Sequence, residues 1–159
     1  MRALTTKADL SPVRRGGQRK ATTFKKRGAS LGLAANDTSS LIELIDKGLS
    51  FDAFLTLESH TGVSVSVLAS IMGIPERTLA RRKIAGKLAP EESERLLRIS
   101  TIFEKSVELF DGDISAAVNW LTTPKKALNN QQPLTYSRTE IGAREVENLI
   151  GRLEHGVFS

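Results

Sequence analysis

The chain has 159 residues, 40% of them apolar, with a formal charge of +5. That size is one ordinary domain or two small ones packed together. With no cysteine, disulfides, cysteine-based zinc sites and thiol nucleophiles are excluded, and no apolar run approaches the roughly eighteen residues of a membrane helix. A soluble protein of a reducing cytoplasm is expected.

Residues 1–36 carry nine Lys/Arg (Arg2, Lys7, Arg14, Arg15, Arg19, Lys20, Lys25, Lys26, Arg27) against Asp9 alone, a local charge of +8 on a body of −3. This reads as a flexible basic arm suited to a polyanion or simply solvated. Pro12 and Gly16-Gly17 would interrupt an amphipathic transit helix, and the apolar core of a secretory signal is missing.

From Leu41 onward the spacing of apolar residues is helical, so the body is expected to be all-α. Leu41, Ile42, Leu44 and Ile45 predict a short helix closed by Gly48; Ser50 then caps a second one carrying Phe51, Phe54 and Leu55. "SVSVLASIMG" and "IPERTLARRK" predict two short helices joined by a turn at Met72-Gly73-Ile74, with Pro75 in the first turn of the second. This is helix-turn-helix spacing. Ala69 is the small crossing residue, Gly73 the turn glycine, and Leu79 the inward anchor.

Around Leu79, the outward positions are Arg77, Thr78, Arg81, Arg82 and Lys83, with Lys87 extending the patch; these are donors for phosphates and guanine edges. Three residues after Leu79, where such motifs often bury a second apolar side chain, stands Arg82. Either Ile84 anchors this helix or its docking angle departs from the usual one.

A long helix is predicted from Pro90, with Leu96, Ile99, Phe103, Val107 and Phe110 as a single apolar stripe ending at "DGD". Asp113 caps a helix holding Ile114, Ala117, Val118 and Leu121 beside Trp120; "NNQQP" is a turn. The last helix carries Val146, Leu149, Ile150 and Leu153, and the capping-box spacing of Ser137 and Glu140 favours a start at Ser137 over Thr139. The expected division is a basic arm 1–36, a helix-turn-helix region 37–89 and a helical region 90–159.

Catalytic and metal constellations are not visible. His60 and His155 lie far apart, Asp111 and Asp113 read as a turn and a cap, and no nucleophile elbow or phosphate loop is present. No enzymatic activity and no cofactor are expected. A DNA-binding regulator without a further protein partner remains the alternative on the motif alone.

The stretches "RTLARRKIAGKLAPEESERLLRI", "AAVNWLTTPKKAL", "QQPL" and "TEIGAREVENLIGRLEHGVFS" resemble the Xre/MbcA/ParS family of type II antitoxins. The resemblance implies a helix-turn-helix half that binds the operator of its own operon, a C-terminal half that binds a cognate RES-domain toxin, and self-association into a homodimer. Toxins of that kind are related to ADP-ribosylating enzymes and use NAD, so the antitoxin is expected to cover the NAD pocket. The residues implied are Arg144, Glu147, Asn148, Arg152, His155, Gly156, Val157, Phe158 and Ser159. The ending itself is suggestive. With Gly156 left-handed at the helix end, the apolar contact of Val157 would fall on Gly151 or Arg152. Neither is an apolar partner, so Val157 and Phe158 either pack back on the chain's own core, fray as a terminus, or serve as a short peptide ligand with polar ends.

Overall fold

The computed structural model describes residues 21–156, and among these it has eight α-helices, two short 3-10 turns and no strand beyond two isolated bridges. The all-α reading holds. In chain order the helices are α1 (Thr38–Lys47), α2 (Phe51–Thr61), α3 (Val65–Ile71), α4 (Glu76–Ala85), α5 (Pro90–Leu109), α6 (Ile114–Leu121), α7 (Pro133–Tyr136) and α8 (Glu140–Glu154).

Most of the boundaries follow from local chemistry. Asp37, Ser50, Ser64, Asp113 and Thr139 each accept a backbone N–H of the first helical turn with their side chains. Pro90 opens α5, where its missing N–H costs nothing. Pro75 stands one position earlier than expected, as the N-cap of α4 rather than in its first turn.

The start of the last helix also differs. Ser137 is the C-cap of α7, a short helix that the sequence pattern does not reveal, and its buried hydroxyl donates to the Pro133 carbonyl at 2.8 Å. Thr139 takes over as the N-cap of α8, its Oγ1 accepting from Gly142 N at 3.0 Å. Between them the chain turns sharply, and Gly142 presses so closely on the Tyr136 carbonyl that a Cβ would overlap it.

α5 is the axis of the molecule. Its stripe of Leu96, Ile99, Phe103 and Val107 is buried as expected, with Phe110 only partly buried at its C-cap. The helix packs on α1, α6 and α8, and its stripe shares one core with Phe54 and Leu57 of α2, Ala117 and Leu121 of α6 and Val146 and Ile150 of α8. Burial nevertheless extends beyond one stripe, to Leu97, Ser100, Thr101 and Glu104. The covering comes from residues 24–36, which the charge pattern assigned to a flexible arm ending at 36. That boundary is corrected: Leu31 and Ala35 are core residues, Phe24 stacks near Phe103 and His60, and the Thr22 N–H donates to the Gly112 carbonyl. Of the basic arm, residues 1–20 lie outside the described residues.

Glu104 explains why this segment docks. Its carboxylate accepts Ser30 N at 2.9 Å, Ser30 Oγ at 2.8 Å and Gly28 N at 3.3 Å, so it satisfies donors of the 3-10 turn Ala29–Leu31 inside the core. Burial pushes its carboxyl above the ordinary glutamate value, against the opposing pull of the Ser30 and Gly28 hydrogen bonds and of the Arg27 charge. Charge in residues 25–27 is a sound signal of a solvated surface, but it does not reveal that the next few residues bury their backs.

Candidate functional site

α3 and α4 are joined through Met72, Gly73 and Ile74, with Gly73 at φ 73 and Met72 and Ile74 buried beneath the turn. Ala69 is buried at the crossing and accepts the Ile74 N–H at 2.8 Å through its carbonyl. Arg95 of α5 donates to the Met72 carbonyl at 3.2 Å, which fixes the C-terminal end of α3 to the central helix. The helix-turn-helix is thus mounted on the N-terminal half of α5.

α4 contains no buried residue. Leu79 is half-buried and packs against the core as its anchor. Ile84 is not a second anchor, because it is 90% exposed. Arg82 occupies that role by a different chemistry. Its Nε lies 2.7 Å from Glu92 Oε1, in a pair whose side chains are 28% and 10% exposed. The same Glu92 oxygen accepts the Ala89 N–H at 2.8 Å at the start of α5. One carboxylate therefore caps α5 and holds α4 against it.

Arg82 consequently leaves the group of outward-facing candidates: its guanidinium is turned inward to position the helix. Of the remaining candidates, Arg77, Arg81, Lys83 and Lys87 are exposed and Thr78 is half-buried. Lys87 sits just past the end of α4, in an isolated bridge with Ser50. The partner of Arg82 was the missed residue; a Glu two residues after a helix-opening proline is the signal that points to it.

In the C-terminal part of the chain, α8 lays Val146 and Ile150 into the core and presents its opposite face to solvent. Arg144 pairs with Glu140 at 2.8 Å on the exposed surface, a contact of little energetic weight. Glu147 is tied to Lys105 of α5 at 3.3 Å, while Asn148 and His155 are exposed and Arg152 is half-buried. α8 ends at Glu154, and Gly156 adopts the left-handed conformation at φ 66. Val157, Phe158 and Ser159 lie outside the described residues. Ile141 joins this surface: it is 79% exposed, and helical spacing puts it in line with Asn148 and Arg152. In the sequence it stands off the apolar stripe of α8, which is the mark of an apolar residue not used for folding.

These two surfaces coincide with two characterised domains. Residues 40–100 match the antitoxin Xre-like helix-turn-helix domain, and residues 106–156 match the antitoxin Xre/MbcA/ParS C-terminal toxin-binding domain. An antitoxin Xre from Yersinia enterocolitica is 39% identical over 140 residues, covering 87% of this chain and 95% of that protein. A second, from Photorhabdus laumondii, is 30% identical over 131 residues, 82% of this chain and 88% of that one. The chain belongs to the Xre family of type II antitoxins.

As an Xre-family antitoxin it belongs to a regulatory, non-enzymatic class. The two matched segments divide inside α5 rather than at its start. The first turns of α5 hold the helix-turn-helix through Arg82–Glu92 and Arg95–Met72, and α6 and α8 pack along the same helix. No helix among the described residues is long and apolar enough to cross a membrane.

Proposed function

We propose that this antitoxin is a cytoplasmic homodimer that binds the operator of its own operon through α4, and neutralises a RES-domain toxin by covering its active site with the C-terminal region. The observation that carries the DNA half is α4 itself. It buries no residue, is held by a half-buried leucine and one ion pair, and turns Arg77 and Arg81 outward. A helix so mounted contributes little to the core and a great deal to a major groove. Arg77 and Arg81 are placed to read base edges; Lys83 and Lys87 suit the phosphates beside them, with Thr78 at the margin.

The toxin half is supported by α8, whose solvent face carries Arg144, Asn148, Arg152 and Ile141 and runs to a left-handed Gly156. Beyond that glycine the sequence offers Val157, Phe158 and Ser159, an apolar pair beside a polar residue, suited to an apolar pocket with a few polar groups. Neutralisation here requires no chemistry by the antitoxin, only occupation of the toxin's NAD pocket.

The test separates the halves. Replacing Arg77 and Arg81 by Ala should weaken binding to operator DNA by about a hundredfold, at about 1–3 kcal/mol for each bidentate contact, with NAD consumption by the co-purified toxin still suppressed. Deleting residues 157–159 should restore NAD consumption while operator affinity stays as it was. Full suppression by the truncated chain would sink the plugging reading, and unchanged operator affinity of the double variant would sink the assignment of α4.

A further inference from the structure

We infer that Ile84 reads the 5-methyl group of a thymine in the major groove, and so sets part of the sequence specificity of α4. This rests on the DNA-binding reading above. On a helix of 3.6 residues per turn, Leu79 and Arg82 share the face turned toward the body, one half-buried and the other paired with Glu92. The opposite row consists of Arg77, Ala80, Arg81 and Ile84, all exposed. Ile84 therefore stands in line with the two arginines, at the most outward part of the helix.

Its exposure has no folding explanation. At 90% exposed, Ile84 exceeds the other exposed large apolar side chains among the described residues, Ile141 at 79% included. A β-branched residue is also a weaker helix former than the Lys, Arg or Glu that a solvated face normally carries. Its use must lie in a bound state.

The chemistry of the groove selects the ligand. Isoleucine neither donates nor accepts hydrogen bonds, and the major-groove edges of the bases offer one apolar group, the thymine methyl. Ala80, in the same row, is small enough to let the helix approach the groove floor. Seven residues separate Arg77 from Ile84, about 10 Å of helix, so the thymine should lie within about three base pairs of the base that Arg77 contacts.

A second copy of the chain is the competing occupant. A two-fold contact centred on Ile84 would bring Arg81, Lys83 and Lys87 against their own counterparts. That like-charge crowding favours a polyanion over a copy of the same face.

The experiment uses the full chain and duplexes from the DNA upstream of its own gene, with each thymine replaced in turn by deoxyuridine, which lacks only the methyl. At one thymine of each half-site, its single replacement should weaken the wild-type chain about fourfold, the worth of one buried methyl. Ile84→Ala, which loses the contact in both half-sites, should bind the thymine duplex about fifteenfold more weakly and be indifferent to that same replacement. Insensitivity of the wild type at every thymine, or undiminished sensitivity of Ile84→Ala, overturns the inference. So does a loss of self-association by Ile84→Ala in sedimentation without any deoxyuridine effect, which assigns Ile84 to a contact between copies. Binding that depends on Arg77 and Arg81 but ignores the methyls removes the thymine contact alone; no binding to the upstream DNA removes the reading on which it rests.

Discussion

Replacing Arg82 by Ala separates a residue that positions the recognition helix from one that touches DNA. The Arg82–Glu92 pair combines a 2.7 Å contact with a carboxylate only 10% exposed, so it is stronger than an ordinary surface ion pair. Because Arg82 keeps 28% of its side chain in solvent, solvent screening limits the contribution to about 1–2 kcal/mol. For a helix that buries no residue of its own this is a large share of its docking energy. Losing it should make excursions of α4 from the body about five to thirty times more frequent. Urea denaturation of Arg82→Ala, Glu92→Gln and the double variant forms a mutant cycle. Gln at 92 can still accept the Ala89 N–H, so the cap on α5 survives and only the charge pair is lost. Both single variants should cost about 1–2 kcal/mol, and the double variant little more than either. Operator affinity should fall in all three variants with an unchanged salt slope, since no phosphate contact is removed. The reasoning fails if Arg82→Ala unfolds at the wild-type midpoint while its salt slope drops by about 0.9, the signature of one lost phosphate contact.

Removing Glu104 should undock residues 24–36: Glu104→Ala leaves the Ser30 and Gly28 donors buried without an acceptor and should cost about 3 kcal/mol, with amide exchange at Ser30 and Leu31 rising first. In Glu104→Gln the pH dependence should change instead. The wild-type carboxyl is raised by burial, so the folded chain holds a proton that the unfolded chain releases. Its stabilising contribution is complete below the ordinary glutamate value and is lost as pH climbs through the raised one; the Gln variant should lose that slope in denaturation midpoints between acid and neutral pH. Gly142→Ala should destabilise by about 1–3 kcal/mol, because its Cβ meets the Tyr136 carbonyl. Gly151→Ala, in open space on the same helix, should stabilise by up to about 1 kcal/mol, both read as denaturation midpoints.

The amino-acid sequence by itself determined most of the helices, the short α7 excepted. Helical periodicity, Ser50, Asp113, Pro90 and the Gly73 turn are local signals, each a consequence of what neighbouring backbone groups require, and they survive folding unchanged. The basic row Arg77–Arg81 and the polar face of α8 are legible for the same reason: an exposed position imposes no partner. The family likeness reached further still, because it gathers the two halves into one antitoxin. What only the tertiary structure decided is which charges are committed. Arg82 looks like Arg81 in a string of letters, yet Glu92, ten residues away, faces one and not the other. Lys26 and Arg27 announce a solvated arm, while Gly28 and Ser30 beside them are drawn into the core by a carboxylate more than seventy residues further along the chain. Ser137, which has the spacing of a cap for α8, serves instead to end α7, because the close approach at Gly142 forces a turn between them. Pairing across the fold depends on three-dimensional neighbours, and those are set by how the helices pack around α5.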